Sequence, residues 1–244
     1  MESADLFSLK GRRVLITGAA GGIGGATARL ASQMGASLVL SDVVSRSALE
    51  KNVGELACEY QVEIFDSGNI RAVEQAAQSI GAIDALIETS GVYPHVDWMD
   101  QDFERAFDEV IKVNVRGPLN IARAFFPEMA RRRRGSMVFC GSVAGWMGGI
   151  KSGPHYAFSK GGLHAFVRWL ARLGAPNQVL INGVAPSTTR TALVSGVGYD
   201  ESQYPLGRMA EPHEIASALV FLCMPGASYI SGAILDVNGG IYHR

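Results

Sequence analysis

Cysteine, net charge and long apolar runs are all scarce in this 244-residue chain. Its three cysteines, Cys58, Cys140 and Cys223, are odd in number and far apart, which excludes a disulfide framework and a cysteine-based metal site. A net charge of −1 argues against nucleic acid or an anionic membrane as the main partner. No apolar run reaches transmembrane length, and the first ten residues lack a signal-peptide core, so we expect a cytoplasmic protein.

The composition that remains is that of a globular protein. Hydrophobic residues make up 48% and charged residues 18% of the chain, which does not fit a disordered protein. The length allows one large domain with a full core but is cramped for two. No repeat, low-complexity stretch or long linker interrupts the sequence, so we predict a single domain over residues 1–244.

Short apolar runs alternate with longer amphipathic segments along the chain. This alternation predicts an α/β fold: a doubly wound parallel sheet of about seven strands with helices on both faces. The segment Thr188–Tyr204 has little periodicity and many small residues, which indicates a loop or a mobile lid. The predicted strands are Arg13–Thr17, Leu38–Ser41, Val62–Phe65, Ala85–Ile87, Ser136–Cys140, Val179–Val184 and Ala233–Val237. The predicted helices are Gly22–Met34, Ile70–Ile80, Asp102–Val113, Gly117–Ala130, His155–Leu173 and Pro212–Cys223.

A glycine-rich stretch joins the first predicted strand to the first predicted helix. It contains Gly18, Gly22, Ile23 and Gly24. Glycine lets backbone N–H groups approach a pyrophosphate, whose negative charge the helix N-terminus favours. A glycine turn can also be merely a tight packing device, but the strand before it and the helix after it favour a dinucleotide site.

Two acidic residues end the next strands. Asp42 follows the second strand, where a carboxylate accepts hydrogen bonds from both ribose hydroxyls and repels a 2′-phosphate. No Arg or Lys occurs between Ala19 and Gly25 to offset that repulsion, so NAD is favoured over NADP. Asp66, after the third strand, fits either a contact to the adenine or a turn-initiating Asp.

Tyr156 and Lys160 stand four positions apart in a predicted helix, one turn apart on the same face. A phenol is a poor base at neutral pH, and a neighbouring cation favours its phenolate form. Alone, such a pair is also found on ordinary solvated helix faces. The glycine turn, Asp42 and the hydroxyl of Ser142 after the fifth strand make a proton-transfer site the better interpretation.

Together these ordered motifs resemble the short-chain dehydrogenase/reductase family, in its single-domain branch with a Tyr-x-x-x-Lys active site. The resemblance runs nearly end to end and implies a Rossmann-type fold, with a cofactor half over about 1–140 and a catalytic and lid half over about 141–244. It also implies roles for four residues. Tyr156 would be the general acid/base, Lys160 would favour its phenolate and bind the nicotinamide ribose, and Ser142 would orient the substrate oxygen. Asn114, at a helix interruption, would hold a water linking Lys160 to solvent.

The chain departs from the family pattern at two places. After the fourth strand it has Glu88 where the family often has an asparagine that braces the central strands, although Ser90 and Gly91 keep the close approach to the cofactor. After the sixth strand Pro186 is followed by Ser187 rather than glycine. The resemblance implies contacts from Thr189 and Thr191 to the nicotinamide carboxamide, and a short lid.

The residues expected around the reacting carbon are mostly apolar or aromatic, which predicts a compact hydrophobic or ring-bearing substrate. His95 could contact the substrate but could equally be a packing residue, and Trp146 and Met147 could belong to the core or to a subunit contact. The predicted substrate-pocket residues are Tyr93, His95, Trp146, Met147 and Ile150, with Leu193, Val194 and Tyr199 from the lid.

The resulting prediction is an NAD-dependent oxidoreductase that interconverts a small hydrophobic or cyclic secondary alcohol or diol, acting on its CH–OH group, with the ketone. A carbonyl or 3-oxoacyl-thioester reductase is the alternative within enzymes, although Asp42 argues against the NADPH that reductive pathways usually use. A non-catalytic NAD-binding sensor or scaffold is the alternative outside enzymes. The helices Gly117–Ala130 and His155–Leu173 resemble the family's subunit interface, so a homotetramer, or a homodimer, is expected.

Overall fold

The computed structural model describes residues 3–149 and 151–243, and one parallel sheet runs through it. The strands lie side by side in the order β3-β2-β1-β4-β5-β6-β7, and every neighbouring pair is parallel. The predicted fold class is confirmed. The strands are β1 (Arg13–Thr17), β2 (Ser37–Asp42), β3 (Tyr60–Ile64), β4 (Ala85–Glu88), β5 (Gly135–Cys140), β6 (Val179–Pro186) and β7 (Ile234–Val237).

Helices cover both faces of this sheet, as the alternation of the sequence predicts. In the buried strand β1, Val14 and Ile16 enter the apolar cluster on one face, whereas Leu15 enters the cluster on the other. Both faces of the sheet are buried from solvent because each is packed against helices. The α-helices are α1 (Ser3–Leu6), α2 (Gly22–Gln33), α3 (Arg46–Val53), α4 (Ile70–Ile80), α5 (Phe103–Val110), α6 (Gly117–Arg132), α7 (Ala144–Met147), α8 (Pro154–Gly174) and α9 (Pro212–Phe221).

The sequence-based prediction missed the short helix α3. Only Leu49 and Val53 of this helix are buried, which is too few apolar positions to produce a visible helical period. Its start does carry a signal, because Ser45 caps the helix by accepting a hydrogen bond from the Ala48 N–H at 3.3 Å. Capping rather than periodicity could have found this element.

The predicted helix Asp102–Val113 differs most from the structure. The α-helix α5 ends at Val110, and the chain continues as a π-helix, Ile111–Arg116, straight into α6. A π-turn widens the helix and re-aims side chains, and such turns are frequent at functional sites. This one carries Asn114.

The order of the strands places the functional end of the molecule. The chain winds outward in opposite directions from β1 and β4, and these two strands are neighbours, so a crevice opens beyond their carboxyl ends. The lid segment Thr188–Tyr204 contains two short 3-10 turns, Ala192–Val194 and Glu201–Gln203. Among the helices of residues 3–149 and 151–243, none combines the length and apolar character needed to cross a membrane.

Candidate active site

The glycine-rich turn between β1 and α2 packs too closely against its neighbours to carry side chains. Gly18 has a φ of 68°, and a Cβ there would lie 2.6 Å from the backbone nitrogen of Ser90. A Cβ on Gly22 would lie 2.7 Å from Cγ2 of Thr191, and one on Gly24 would overlap the Gly18 carbonyl. The main chain therefore stays nearly bare at the N-terminus of α2, where unpaired N–H groups suit a pyrophosphate.

Asp42 ends β2 beside this turn and is held there by the main chain. Its Oδ2 accepts a hydrogen bond from the Ala20 N–H at 2.9 Å, and its Oδ1 accepts one from the Val43 N–H at 2.7 Å. A carboxylate has further lone pairs, so it can still accept from ribose hydroxyls. The described residues that line the cavity around Asp42 include neither Lys nor Arg.

Asp66 lines the same cavity, but its carboxylate is engaged by its own surroundings. Its Oδ1 accepts from the Gly68 N–H at 2.8 Å, which is the turn-initiating contact, and Lys112 forms an ion pair with Oδ2 at 2.6 Å. Burial acts to raise the pKa of Asp66, but the hydrogen bonds from Lys112 and Gly68 outweigh it, and the pKa is lowered. Asp66 is therefore ionised at neutral pH.

The cavity at Asp42 continues into a second one, which is lined by three of the four predicted catalytic residues, Ser142, Tyr156 and Lys160. Thr89, Ser90 and Gly91 line both, so one cleft runs along the carboxyl ends of the strands. The predicted residues that line its catalytic part are Ile23, Ser90, Gly91, Tyr93, Ser142, Tyr156, Lys160, Pro186, Thr189, Thr191, Leu193, Val194 and Tyr199.

Tyr156 and Lys160 lie on the first turns of α8, with Lys160 Nζ 5.8 Å from the centre of the Tyr156 ring. Lys160 is 4% exposed, and its Nζ donates a hydrogen bond to the Cys140 carbonyl at 2.9 Å. An ammonium has three hydrogens, so two remain for other partners. The strand end at Cys140 thus fixes the position of a buried cation next to the phenol.

Asn114 is buried in the π-helix and is bound to the loop after β4. Its Oδ1 accepts from the Val92 N–H at 2.9 Å and its Nδ2 donates to the Val92 carbonyl at 3.0 Å, with Ser159 Oγ at 3.3 Å from Nδ2. A Cβ on Gly91 would lie 3.6 Å from Asn114 Oδ1 and 3.8 Å from Lys160 Nζ. Glycine at this position keeps open the space between the amide and the ammonium.

Ser142 sits in the turn that follows β5. Its Oγ accepts a hydrogen bond from the Ala144 N–H at 3.1 Å, so the hydroxyl is both a turn former and a group lining the cleft. The Ser142 N–H points to Nε2 of His164 at 3.4 Å, and the His164 ring packs on Trp146 at 4.3 Å. His164 supports this turn from beneath, and its apolar helical context gave no signal of that role.

Tyr93 connects the phenol of Tyr156 to the lid. Its ring centre lies 4.6 Å from that of Tyr156, and its hydroxyl is hydrogen-bonded to the Tyr199 hydroxyl at 2.9 Å. Burial, followed by the bond to Tyr199, raises the pKa of Tyr93, and burial also raises the pKa of Tyr199. Both phenols are therefore neutral hydrogen-bonding groups at neutral pH.

Lys151 holds the outer side of the same lid. Its Nζ donates to the carbonyl oxygens of Val197, at 3.4 Å, and Gly198, and lies 5.5 Å from the centre of the Tyr199 ring. Our sequence reasoning did not select Lys151, because a single lysine before a helix has no distinctive pattern. Together the two contacts fold the lid over the cleft.

The remaining predicted substrate-pocket residues lie away from the cleft wall. His95 is exposed and packs edge-on against Tyr93 at 4.1 Å. Trp146 packs between His164 and Arg168 instead of facing the cleft, and Met147 is 38% exposed on α7. Ile150 lies outside the described residues.

Glu88 ends β4 and is fully buried between β1 and β5. Its Oε1 accepts a hydrogen bond from the Ser90 N–H at 2.9 Å. Burial raises the pKa of Glu88 to about 7, against the attraction of Lys160, the hydrogen bond from Ser90 and the proximity of the Thr17 hydroxyl. A carboxyl group that titrates near neutrality therefore lies within the electrostatic reach of the active-site lysine.

This geometry can be set beside known proteins. A family model described as enoyl-(acyl carrier protein) reductase matches residues 18–242. The 3-oxoacyl-[acyl-carrier-protein] reductase FabG of Vibrio harveyi is 32% identical, over 97% of this chain and 99% of that protein. The chain belongs to the short-chain dehydrogenase/reductase family. It is therefore an oxidoreductase with a dinucleotide-binding fold.

Other members of the family differ in their substrates. Cis-4-hydroxycyclohexanecarboxylate dehydrogenase of Sinomonas cyclohexanicum is 31% identical, over 94% of this chain and 96% of that protein. A solved structure from Agrobacterium tumefaciens, provisionally named 2-deoxy-D-gluconate 3-dehydrogenase and containing NADP, is 28% identical with a TM-score of 0.88, over 97% of this chain and 98% of that one. Membership of the family thus leaves the substrate and the cofactor to be argued from the site.

Proposed function

We propose that this enzyme uses NAD to interconvert a small hydrophobic or cyclic secondary alcohol with its ketone. The observation that carries the proposal is that Tyr156, Lys160 and Ser142 face one cleft whose far end is lined by Asp42. A non-catalytic NAD-binding protein would have no physical need for this group of proton-transferring side chains at one point of the cleft.

The residues of the cleft fit a dinucleotide. The glycine turn would hold the pyrophosphate, Asp42 the adenosine ribose, and Thr189 and Thr191 the nicotinamide carboxamide. Lys160 would bind the nicotinamide ribose with the hydrogens that Cys140 leaves free. When bound, NAD would supply the site that accepts hydride from the alcohol or gives it to the ketone.

The side chains of the chain itself would handle the proton. In alcohol oxidation, Tyr156 Oη takes the hydroxyl proton, and in ketone reduction it returns one. Ser142 Oγ already accepts from Ala144, so its own hydrogen remains to donate to the substrate oxygen. The open space beside Gly91, between Lys160 and Asn114, would admit a water that passes the proton on toward solvent.

NAD rather than NADP is favoured by the surroundings of Asp42. A 2′-phosphate there would meet a carboxylate held in place by Ala20 and Val43, and the described cavity lining offers it no cation. The relative with bound NADP shows that the fold alone does not decide this preference. Initial rates with each cofactor, followed by nicotinamide absorbance, test it; a preference for NADP would contradict the proposal.

A small ring or hydrophobic alcohol is favoured by the cleft wall, where Tyr93, Leu193 and Val194 surround the catalytic groups and the lid lies close above. The relative from Sinomonas cyclohexanicum, named for a ring alcohol, supports the same class. A panel of cyclic and linear secondary alcohols, assayed with NAD, tests it. The absence of turnover with every member would contradict this substrate class.

The FabG relatives favour a second candidate, reduction of a 3-oxoacyl thioester. Acetoacetyl thioesters assayed with NADPH and NADH separate the two. Faster turnover of the thioester with NADPH than of any cyclic alcohol with NAD would select this second function.

The apolar exposed face of α8 supports assembly into a homotetramer, or a homodimer. Phe158 is 66% and Trp169 59% exposed, and the two lie about three turns apart on one side of the helix. Light scattering should give a multiple of the 26.0 kDa chain mass, and Trp169→Glu should reduce it. A monomeric wild-type protein would contradict the assembly.

A further inference from the structure

The carboxyl group of Glu88 is buried beside the catalytic groups, and the proposed reaction gives it no task. It is 0% exposed, in register with Thr17 of β1 on one side and Phe139 of β5 on the other. Lys160 is only 4% exposed, and its Nζ donates at 2.9 Å to the carbonyl of Cys140, the residue that follows Phe139 in β5. The buried carboxyl group of Glu88 and the ammonium of Lys160 thus lie at the ends of neighbouring strands.

Glu88 is only half satisfied by hydrogen bonds. Oε1 accepts from the Ser90 N–H at 2.9 Å, whereas Oε2 has no ordinary hydrogen bond to any residue in the described ranges. The Thr17 hydroxyl likewise lacks an ordinary partner there, although it is close enough to help lower the pKa of Glu88. A buried carboxylate with a bare oxygen is costly unless a cation compensates it. Lys160 is that cation.

The groups that face Glu88 come from each element around it. Thr17 of β1 pairs with Glu88 in the register of the sheet, and the Ser90 N–H of the loop after β4 donates to Glu88 Oε1. The Lys160 ammonium of α8 is held at the neighbouring end of β5 by the Cys140 carbonyl. Strand β5 contributes Cys140, and burial raises the pKa of that thiol to about 11, so it remains neutral at physiological pH. Lys160 is therefore the charge to which Glu88 responds.

We propose that Glu88 is a positioning residue, the buried counter-charge of Lys160, and that gain or loss of its proton sets the pH at which Tyr156 accepts the proton of the substrate. This inference rests on the proposed function, because Tyr156 must be the acid/base. An ionised Glu88 offsets part of the Lys160 charge and so weakens the field that favours a phenolate. A neutral Glu88 does not weaken that field. Deprotonation of Glu88 and deprotonation of Tyr156 therefore oppose each other.

A purely structural carboxyl group predicts something different. The amide that the family often has at this position also braces the strands through hydrogen bonds but carries no charge. If Glu88 only braces, then Glu88→Gln or Glu88→Asn changes stability or turnover equally at every pH. If it is the counter-charge, both neutral variants change the shape and position of the pH profile.

The test compares pH profiles of kcat/KM for alcohol oxidation at saturating NAD in wild type, Glu88→Gln and Glu88→Asn. Glu74→Gln, on the exposed side of α4, removes the same charge far from the site and is the matched control. Both Glu88 variants should move the midpoint to lower pH by about half a unit or more and give a sharper transition, whereas the control should match wild type. Unmoved midpoints in variants that fold would overturn the inference.

A measurement without substrate separates this inference from the proposed function. Infrared difference spectra between about pH 5 and about pH 9 should show, in wild type but not in Glu88→Gln, a carboxyl group that ionises near neutrality. If Tyr156→Phe leaves turnover intact, the proposed function fails whatever the spectra show. If neither Glu88 variant folds, the spectra of wild type and Glu74→Gln decide: no carboxyl group ionising near neutrality overturns the counter-charge, and one that does supports it.

Discussion

Two carboxylates flank the end of β1, and they occupy opposite environments. Asp42 ends β2 and Glu88 ends β4, and both strands pair with β1 at its last residues. Asp42 is partly exposed, and each of its oxygens accepts a backbone N–H. Glu88 is fully buried, with a hydrogen bond to one oxygen only. The strands on either side of β1 thus end in a partly exposed carboxylate and in a fully buried carboxyl group.

The difference shows how burial assigns chemistry along one edge of a sheet. At the end of β2, two main-chain N–H groups hold the partly exposed carboxylate of Asp42. At the end of the central strand β4, desolvation opposes the charge of Glu88, against the attraction of Lys160 and the hydrogen bond from Ser90. Under the proposed function, the exposed strand end serves recognition of the cofactor and the buried one serves proton transfer.

The largest expected effect is at Tyr156. Tyr156→Phe removes the proton acceptor and should reduce kcat by about 10³-fold or more, while NAD binding measured by fluorescence titration stays within about twofold. Tyr229→Phe is the matched control, because Tyr229 is fully exposed and should behave as wild type. Turnover that survives in Tyr156→Phe would show that the part of the cleft around Tyr156 does not carry the proton transfer.

The buried carboxyl group of Glu88 should also make the free energy of unfolding depend on pH. The pKa of Glu88 is raised from 4.5 to about 7 in the folded protein, so as pH rises the unfolded chain loses this proton first. The free energy of unfolding of wild type relative to Glu88→Gln should therefore fall by up to about 3 kcal/mol between about pH 4.5 and 7, and level off above. Urea titrations across this range measure the difference. A difference independent of pH would contradict the assignment.

The partly exposed carboxylate of Asp42 should control the preference for NAD over NADP. Asp42→Asn keeps the shape but removes the charge, and should raise KM for NAD by about 10-fold or more because charge-assisted hydrogen bonds to the ribose are lost. It should also lower the ratio of kcat/KM for NAD to kcat/KM for NADP. Asp108→Asn, on the exposed side of α5, is the isosteric control. An unchanged ratio of kcat/KM for the two cofactors would mean that Asp42 does not read the ribose.

The smallest expected effect is at the lid. Tyr199→Phe removes the hydrogen bond to Tyr93 but keeps the ring over Lys151, and should raise KM for the alcohol by about fivefold with little change in kcat. KM measured at saturating NAD reports the change, with Tyr229→Phe again as the control. A loss of kcat instead would mean that the Tyr93–Tyr199 contact also orients Tyr156.

Much of the site was accessible from residue order alone. The glycine turn after β1, Asp42 after β2, and the helical spacing of Tyr156 and Lys160 are local patterns, and the structure brings these residues to one cleft. The departure at Glu88 was also visible. Its partner was not, because Lys160 is 72 positions away in the sequence and is brought near Glu88 only by its hydrogen bond to the end of β5 at Cys140.

The contacts of the lid and of the turn at Ser142 could not be predicted from residue order. Lys151, Tyr93 and Tyr199 meet only when the segment after β6 folds back over the cleft, and His164 reaches the Ser142 turn from the third turn of α8. Trp146 turned out to pack against that histidine and not to face the cleft. None of these contacts has a sequence period, since each joins segments that are distant in the chain.

The sequence by itself determined the order of strands and helices, the parallel sheet and the helical pairing of Tyr156 with Lys160, because periodicity and glycine spacing act within a few residues. Only the tertiary structure decided that Asp42 stays partly exposed to solvent and that Glu88 is buried, with its pKa raised to about 7. Burial depends on what packs above a strand end, and that is a property of β1, β5 and α8 together with β4.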